Sequence, residues 1–216
     1  MSHLKRQFAP KSWPIPRKGT TFVIKPNFGL SKGVPLLIVL RDMLKIVQNR
    51  KEAKRAIHLE RIFVNGKKAR DEKDGILLFD VITIVPSKKN YRLSVSLNGK
   101  FELKEIKEEE SNNKISKIIG KKVLKGKKIQ LNLSDGRNFL SDLKCKTNDS
   151  VIIDFKKNKI DKCLSLKENS KVFVFAGKHS GEIGKIENIN HEKKMATIEK
   201  ENQKINILIK QFMVIE

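Results

Sequence analysis

Between Pro35 and Ile84 the apolar pattern allows one economical arrangement: helix, helix, strand, tight turn, strand. Leu37, Leu40, Leu44 and Val47 recur at helical spacing and predict a first helix with one buried stripe. Ala53, Ala56 and Ile57 supply the apolar side of a second helix. The run Arg61-Ile-Phe-Val-Asn-Gly-Lys-Lys-Ala-Arg70 then reads as a hairpin, with Asp80-Val-Ile-Thr-Ile84 as the next strand. Asn65-Gly66 is a strong turn signal because a two-residue hairpin needs positive φ at both centres, which Asn and Gly tolerate. Arg41 and Lys45 flank the first helix, and Lys51, Lys54 and Arg55 the second. Arg61, Lys67, Lys68 and Arg70 continue that rim on the hairpin. A small fold edged this way is built to sit on phosphates.

Charge carries the same message. The 216 residues hold 47 basic and 24 acidic side chains, a formal net charge of +23. Such a surplus opposes compaction, so a compensating polyanion is expected, with nucleic acid ahead of an anionic membrane. The longest apolar run, Val34 to Leu40, is too short to span a bilayer. Met1-Ser-His-Leu-Lys-Arg6 lacks the apolar segment of a signal peptide, so a soluble intracellular protein is expected. Residues 1–50 hold ten Lys/Arg and a single acid, Asp42, whereas residues 151–216 hold thirteen basic and nine acidic residues. The N-terminal side is therefore the expected main phosphate-facing region.

Pro10, Pro14, Pro16, Pro26 and Pro35 forbid a long helix in residues 1–34, and an extended arm, mostly disordered in isolation, is expected there. Phe8 and Trp13 stand out in it, either as anchors onto the chain's own domains or as groups that stack on RNA. Pro86-Ser-Lys-Lys-Asn90 reads as a break. Beyond it, short strands are expected at Tyr91–Leu97, Lys100–Ile106, Ile129–Leu133 and Ser150–Phe155, with turns at Asn98-Gly99 and Asp135-Gly136. The acidic cluster of Glu105, Glu108, Glu109 and Glu110 suits a solvated loop facing away from RNA. The lysine-rich stretch Gly120–Lys128, with Lys121, Lys122 and Lys125, suits a phosphate contact. Lys171-Val-Phe-Val-Phe175 alternates, a basic loop with Lys178 and His179 follows, and Met195–Ile198 and Lys204–Ile209 continue a sheet. Val172, Val174, Ile183 and Ile186 are the expected interior there, with Lys171, Lys178 and Lys185 outside.

The helix pair, the Val64-Asn65-Gly66-Lys67 turn and the Asp80-Val81-Ile82 strand resemble the S-four RNA-binding module. His3-Leu4-Lys5-Arg6, Ala9-Pro10-Lys11 with Trp13, and Pro35-Leu36-Leu37 leading to Leu40-Arg41 are similar to signatures of one family. So are Asn90-Tyr91-Arg92, Asp135-Gly136-Arg137-Asn138 and the glycine-spaced Gly177 to Gly184. That family is the archaeal and eukaryotic small-subunit ribosomal protein S-four-e, and the resemblance runs in its order along the whole chain. Gly177 to Gly184 with its flanking strands also resembles the KOW motif, a small barrel of the Src-homology-three type, with Gly184 as the central glycine. Gly29-Leu-Ser-Lys-Gly33 departs from the family's Gly-Pro-His, so no histidine contact is carried over, and Phe79 replaces the usual Met before Asp80. The chain stops at Glu216 without the eukaryotic basic tail and looks more like an archaeal form.

The resemblance implies an α+β chain in four parts. These are an extended basic arm (1–34), a helix-hairpin S-four-like module (35–88), a β-rich central domain (89–165) and a KOW-like barrel (166–216). It implies a structural constituent of the small ribosomal subunit in the cytoplasm, with small-subunit ribosomal RNA and neighbouring ribosomal proteins as partners. RNA contacts are expected from Lys5, Arg6, Lys11, Trp13, Arg17, Lys18 and Lys25 in the arm, the rim residues named above, Arg92, Lys121, Lys122, Lys125, Arg137, Lys178 and His179. No membrane, small-molecule substrate, cofactor or metal is implied. Cys145 and Cys163 suit reduced thiols, and His3, His58, His179 and His191 lack metal-ligand spacing. Two other readings compete: an accessory module of an RNA-modifying enzyme, for which residues 90–216 offer no catalytic domain, and a KOW-containing transcription elongation factor.

Overall fold

The structure, a computed structural model, describes residues 3–141, 143–190, 192–200 and 203–215; His191 lies outside them. It is β-rich, with two short α-helices among the described residues. The chain divides into two compact units, one built from residues up to Val95 with Lys100–Asn112, the other from Ser96–Gly99 and Asn113 onward.

The first unit opens on a two-stranded ribbon, β1 (Leu4–Lys5) against β2 (Phe22–Val23). Arg6 closes the loop between them. Its Nε donates to Thr20 O, Nη1 to Pro16 O and Nη2 to Thr20 Oγ1, each at 2.7 Å. Trp13 is buried, and its Nε1 donates to Gly33 O at 2.8 Å. The arm was expected to be disordered in isolation; here it folds back, because the indole finds both an apolar slot and an acceptor.

Next, β3 (Gly33–Pro35) pairs with β6 (Gly75–Leu77). α1 (Leu36–Ile38) runs straight into a π-helical turn over Val39–Met43. Leu36 to Leu40 are all buried, so this segment is enclosed on every side instead of carrying the expected single stripe. α2 (Arg50–His58) begins with a capping box: Asn49 Oδ1 accepts from Glu52 N, and Glu52 Oε2 accepts from Gln48 N. Only Ala53 and Ile57 of α2 are buried.

β4 (Ile62–Val64) and β5 (Lys67–Lys68) form the expected hairpin, with φ of +52° at Asn65 and +73° at Gly66. Asn65 does more than turn the chain. Its side chain donates to Asp80 Oδ1 and accepts from Val81 N, which ties the turn to β7 (Val81–Ile84). β8 (Lys89–Val95) and β9 (Phe101–Ile106) complete an antiparallel sheet ordered β5-β4-β7-β8-β9. The sequence reading began a separate segment at residue 89. In the structure Val85–Lys88 is a hairpin turn with Lys88 at φ +52°, and it returns β8 onto β7.

In the second unit the centre is β10 (Asn113–Val123), flanked by β11 (Ile129–Leu133), β12 (Asn138–Leu140), β13 (Ser150–Asp154) and β14 (Lys159–Leu164) in the order β12-β11-β10-β13-β14. Ile118, Leu131, Leu133, Cys145, Val151 and Ile153 form its core. β10 was not expected as one long strand, because its lysines masked the alternation. One of them, Lys114, is sealed at 2% side-chain exposure against Asp135 Oδ2, 3.0 Å away.

A second sheet follows in the order β18-β17-β16-β15-β19. Its strands are β15 (Lys171–Val174), β16 (Ile183–Asn190), β17 (Met195–Lys200), β18 (Gln203–Leu208) and β19 (Phe212–Val214). Val172, Val174, Ile186, Ile198 and Phe212 lie in its core as the alternation requires. Ile183, expected inside, is 44% exposed, because it opens β16 beside the glycine-bearing loop. Lys117 of β10 joins the two sheets: its Nζ donates to Phe212 O at 2.8 Å and to Ile209 O.

Candidate nucleic-acid interface

In the first unit α2 and the β4–β5 hairpin border one groove, lined by Ile57, His58, Val64, Lys67, Lys68 and Arg70 among others. Its continuation along α2 adds Lys54 and Arg55. Helical spacing explains the alignment. Lys51, Lys54, Arg55 and His58 recur at intervals of three and four, so they share the face that Ala53 and Ile57 leave to solvent. Lys51, Arg55, Lys67 and Arg70 are exposed and have no acidic partner among the described residues. Four acids line the groove as well, Glu60, Asp71, Glu72 and Asp74, and two of them hold cations. Glu60 pairs with Lys68, and the buried Glu72 receives Arg50 Nε and Nη2 at 2.9 and 2.6 Å with Lys54 Nζ at 3.8 Å. Arg50 is thus a structural cation, and Lys54 one turn on shares its acid, whereas Lys51 and Arg55 beside them have no ion pair among the described residues.

The remaining expected contacts of this unit divide by what their charges do. Lys5, Lys11, Arg17, Lys18 and Lys25 lie exposed along the arm, as do Lys45, at φ +54°, and Arg61. Arg6 is turned inward on Pro16 and Thr20, so three of its nitrogens are already committed. Arg41 pairs with Asp42 at 2.8 Å and Arg92 with Glu110 at 3.3 Å, which reduces their free charge. Trp13 takes the first of the two roles the sequence left open, an anchor onto its own domain, and the expected RNA contact falls away. At 1% exposure it cannot stack on RNA.

In the second unit Lys121, Lys122 and Lys125 are exposed, the first two on β10 and the third in the turn to β11. Lys121 Nζ also donates to Cys145 O at 3.2 Å. Gly126, at φ +76°, shapes the turn that carries Lys125. Arg137 is half-buried over the Phe155 ring, 5.3 Å from its centroid, with Asp135 at 3.7 Å, so it braces the β11–β12 hairpin. Lys178 is exposed, and His179 Nδ1 lies 3.5 Å from Glu182. Burial pushes the Cys163 thiol up to about 12, with Cys145 and Asp149 adding to the shift, so it stays a protonated thiol.

Two residues escaped the sequence reading. His58 was legible, since it sits three and four residues after Arg55 and Lys54 on a helix. Phe22, exposed on β2, carried no signal beyond being aromatic in a polar arm.

Residues 87–160 match the family described as Ribosomal family S4e, and residues 2–29 match the RS4NT (NUC023) domain. Small ribosomal subunit protein eS4 of Methanocella arvoryzae is 42% identical over 191 residues, covering 87% of this chain and 81% of that protein. The protein of that name from Archaeoglobus fulgidus is 38% identical over 186 residues, 85% and 78% of the two chains. The crystal structure of the 30S ribosomal protein S4e from Thermoplasma acidophilum superposes with a TM-score of 0.74 at 26% identity, covering 86% of this chain and 95% of that one.

Proposed function

The chain belongs to the ribosomal S4e family, and from that membership we propose how its surface works. It is a structural constituent of the small ribosomal subunit in the cytoplasm, with ribosomal RNA and ribosomal proteins as partners, and it is not an enzyme. Among the described residues no helix is long and apolar enough to cross a membrane.

Residues 35–88, extended by β8 and β9, serve as an S-four-like module that grips folded RNA by shape and phosphate. Residues 1–34 are the basic arm, the β10–β14 sheet the central domain, and 166–216 a KOW-like barrel of the Src-homology-three type. The observation that carries the RNA reading is the set of cations without an ion pair, Arg55, Lys67 and Arg70 lining one groove and Lys51 one turn back on the same helix face. Each neutralises a phosphate and releases condensed counterions, while Lys122, Lys125 and Lys178 add contacts from the second unit.

The test replaces Arg55 and Arg70 together by Ala and measures binding of the full chain to a small-subunit ribosomal RNA transcript across a salt series. The slope of log affinity against log salt should shrink by about two, with an unchanged far-UV spectrum. An unchanged slope and affinity would remove the groove from the interface.

A further inference from the structure

The arm holds a feature that phosphate binding does not use. Phe8 and Phe22 are 63% and 51% exposed, although Trp13, in the same segment, is fully buried and already ties the arm down. They are not spare anchors. Phe22 lies directly across the ribbon from Lys5, and the His3 ring meets it edge-on with centroids 4.5 Å apart. Phe8 follows in the single turn Arg6–Phe8. That turn is held rigid by the three side-chain hydrogen bonds of Arg6 and by its backbone N–H on Thr21 O. No acidic residue occurs in the sequence before Asp42, so the segment that presents the rings carries cations only. Exposed flat rings on a braced, carboxylate-free ribbon match the chemistry of an unstacked nucleobase: a π face to cover, and a phosphate one bond path away for an ammonium group.

We propose that Phe8 and Phe22 are stacking platforms for unpaired bases of ribosomal RNA, with Lys5 holding the phosphate beside the base on Phe22. The proposal rests on the RNA-binding reading above and assigns part of the binding to a contact without charge. That makes it separable, because a phenyl ring releases no counterions. A protein partner for the same rings is the competing occupant. The carboxylate-free surroundings favour RNA, whose backbone is the anion they suit.

The experiment uses the full chain and the same transcript over a salt series, with Phe8→Ala, Phe22→Ala, Phe22→Trp and Lys5→Ala. Each alanine variant should lose about tenfold in affinity with the salt slope unchanged, and Phe22→Trp should keep parental affinity. Lys5→Ala should instead reduce the slope by about one. Alanine variants that bind as tightly as the parent overturn the proposal. So do variants that bind RNA normally yet fail to enter subunits in reconstitution, since the rings would then face a protein. Failure of the parent to bind the transcript would sink the RNA-binding reading itself, a result distinct from either.

Discussion

Replacing Gly184 by alanine asks whether close strand approach holds β16 against β17. A Cβ at Gly184 would lie 2.5 Å from Ile198 Cγ2 and 2.7 Å from the Glu199 carbonyl oxygen. Carbon settles against a carbonyl oxygen at about 3.3 Å or more, so the strands would have to part by roughly 0.6 Å there. Neither neighbour can yield freely. The oxygen belongs to the backbone, and Ile198 is 3% exposed within the core of Val172, Ile186 and Phe212. The backbone of Gly184 is not in the left-handed region, so the whole cost is steric. Overpacking of this kind costs about 1–3 kcal/mol. For a unit near 100 residues, 3 kcal/mol lowers Tm by about 12–24 °C. Valine adds two carbons to the same space, and its strand preference returns at most about 1 kcal/mol. Scanning calorimetry of the full chain reads the effect, with Gly120→Ala as control. A Cβ at Gly120 would meet only the Asn132 side chain, at 3.6 Å to Nδ2 and 3.9 Å to Cβ, and that variant should match the parent. If Gly184→Ala melts within about 2 °C of the parent, the close approach does not hold that position.

Trp13→Ala should destabilise the first unit by about 3–5 kcal/mol in urea, since a fully buried indole and its bond to Gly33 O are both lost; an unchanged midpoint would return the arm to the disordered picture. Lys117 supplies a pH test. Burial pushes its ammonium down to about 8 from 10.5, so between those values the unfolded chain binds more protons and stability rises with pH. The gain approaches 3 kcal/mol by pH 10.5, and a Lys117→Met variant, which also strips the carbonyls of Ile209 and Phe212 of a donor, should lack it. Parallel stability–pH curves for parent and variant would refute the buried-ammonium account.

What the sequence disclosed and what it hid follow from where each signal resides. The Asn65-Gly66 turn and the inward Val172 and Val174 of β15 were legible because both signals are local, a φ requirement and a spacing of two, although Phe173 between the valines is buried as well. β10 was not, because Lys114 and Lys117 are buried on its two opposite faces and break any apolar alternation, and what makes them tolerable lies far along the chain. Asp135 answers one; the carbonyls of Ile209 and Phe212 answer the other. The turn at Val85–Lys88 looked like a domain break for a similar reason. Proline and lysine suit a linker as well as a hairpin, and only the β7–β8 pairing decides between them. For the arm, composition gave the charge correctly but could not show that Trp13 has a slot to enter.

The same distinction sorts the +23 surplus. Arg6, Arg50, Lys114 and Lys117 are each engaged by carbonyls or carboxylates of the chain itself, and the fold would be poorer without them. Lys51, Arg55, Lys67 and Arg70 stand otherwise. Arg55, Lys67 and Arg70 line one groove, with Lys51 one turn back on α2, and among the described residues none of the four is ion-paired with the groove's Glu60, Asp71, Glu72 or Asp74, so they repel one another and cost the isolated fold some stability. A cluster that weakens its own scaffold is explained by a partner that supplies the missing negative charge. RNA does so with a phosphate at each nucleotide, matching a rim in which the cations recur along a helix face and a hairpin. On the proposed RNA reading, the free cations mark the surface that phosphate completes, and the engaged ones mark the frame that holds it.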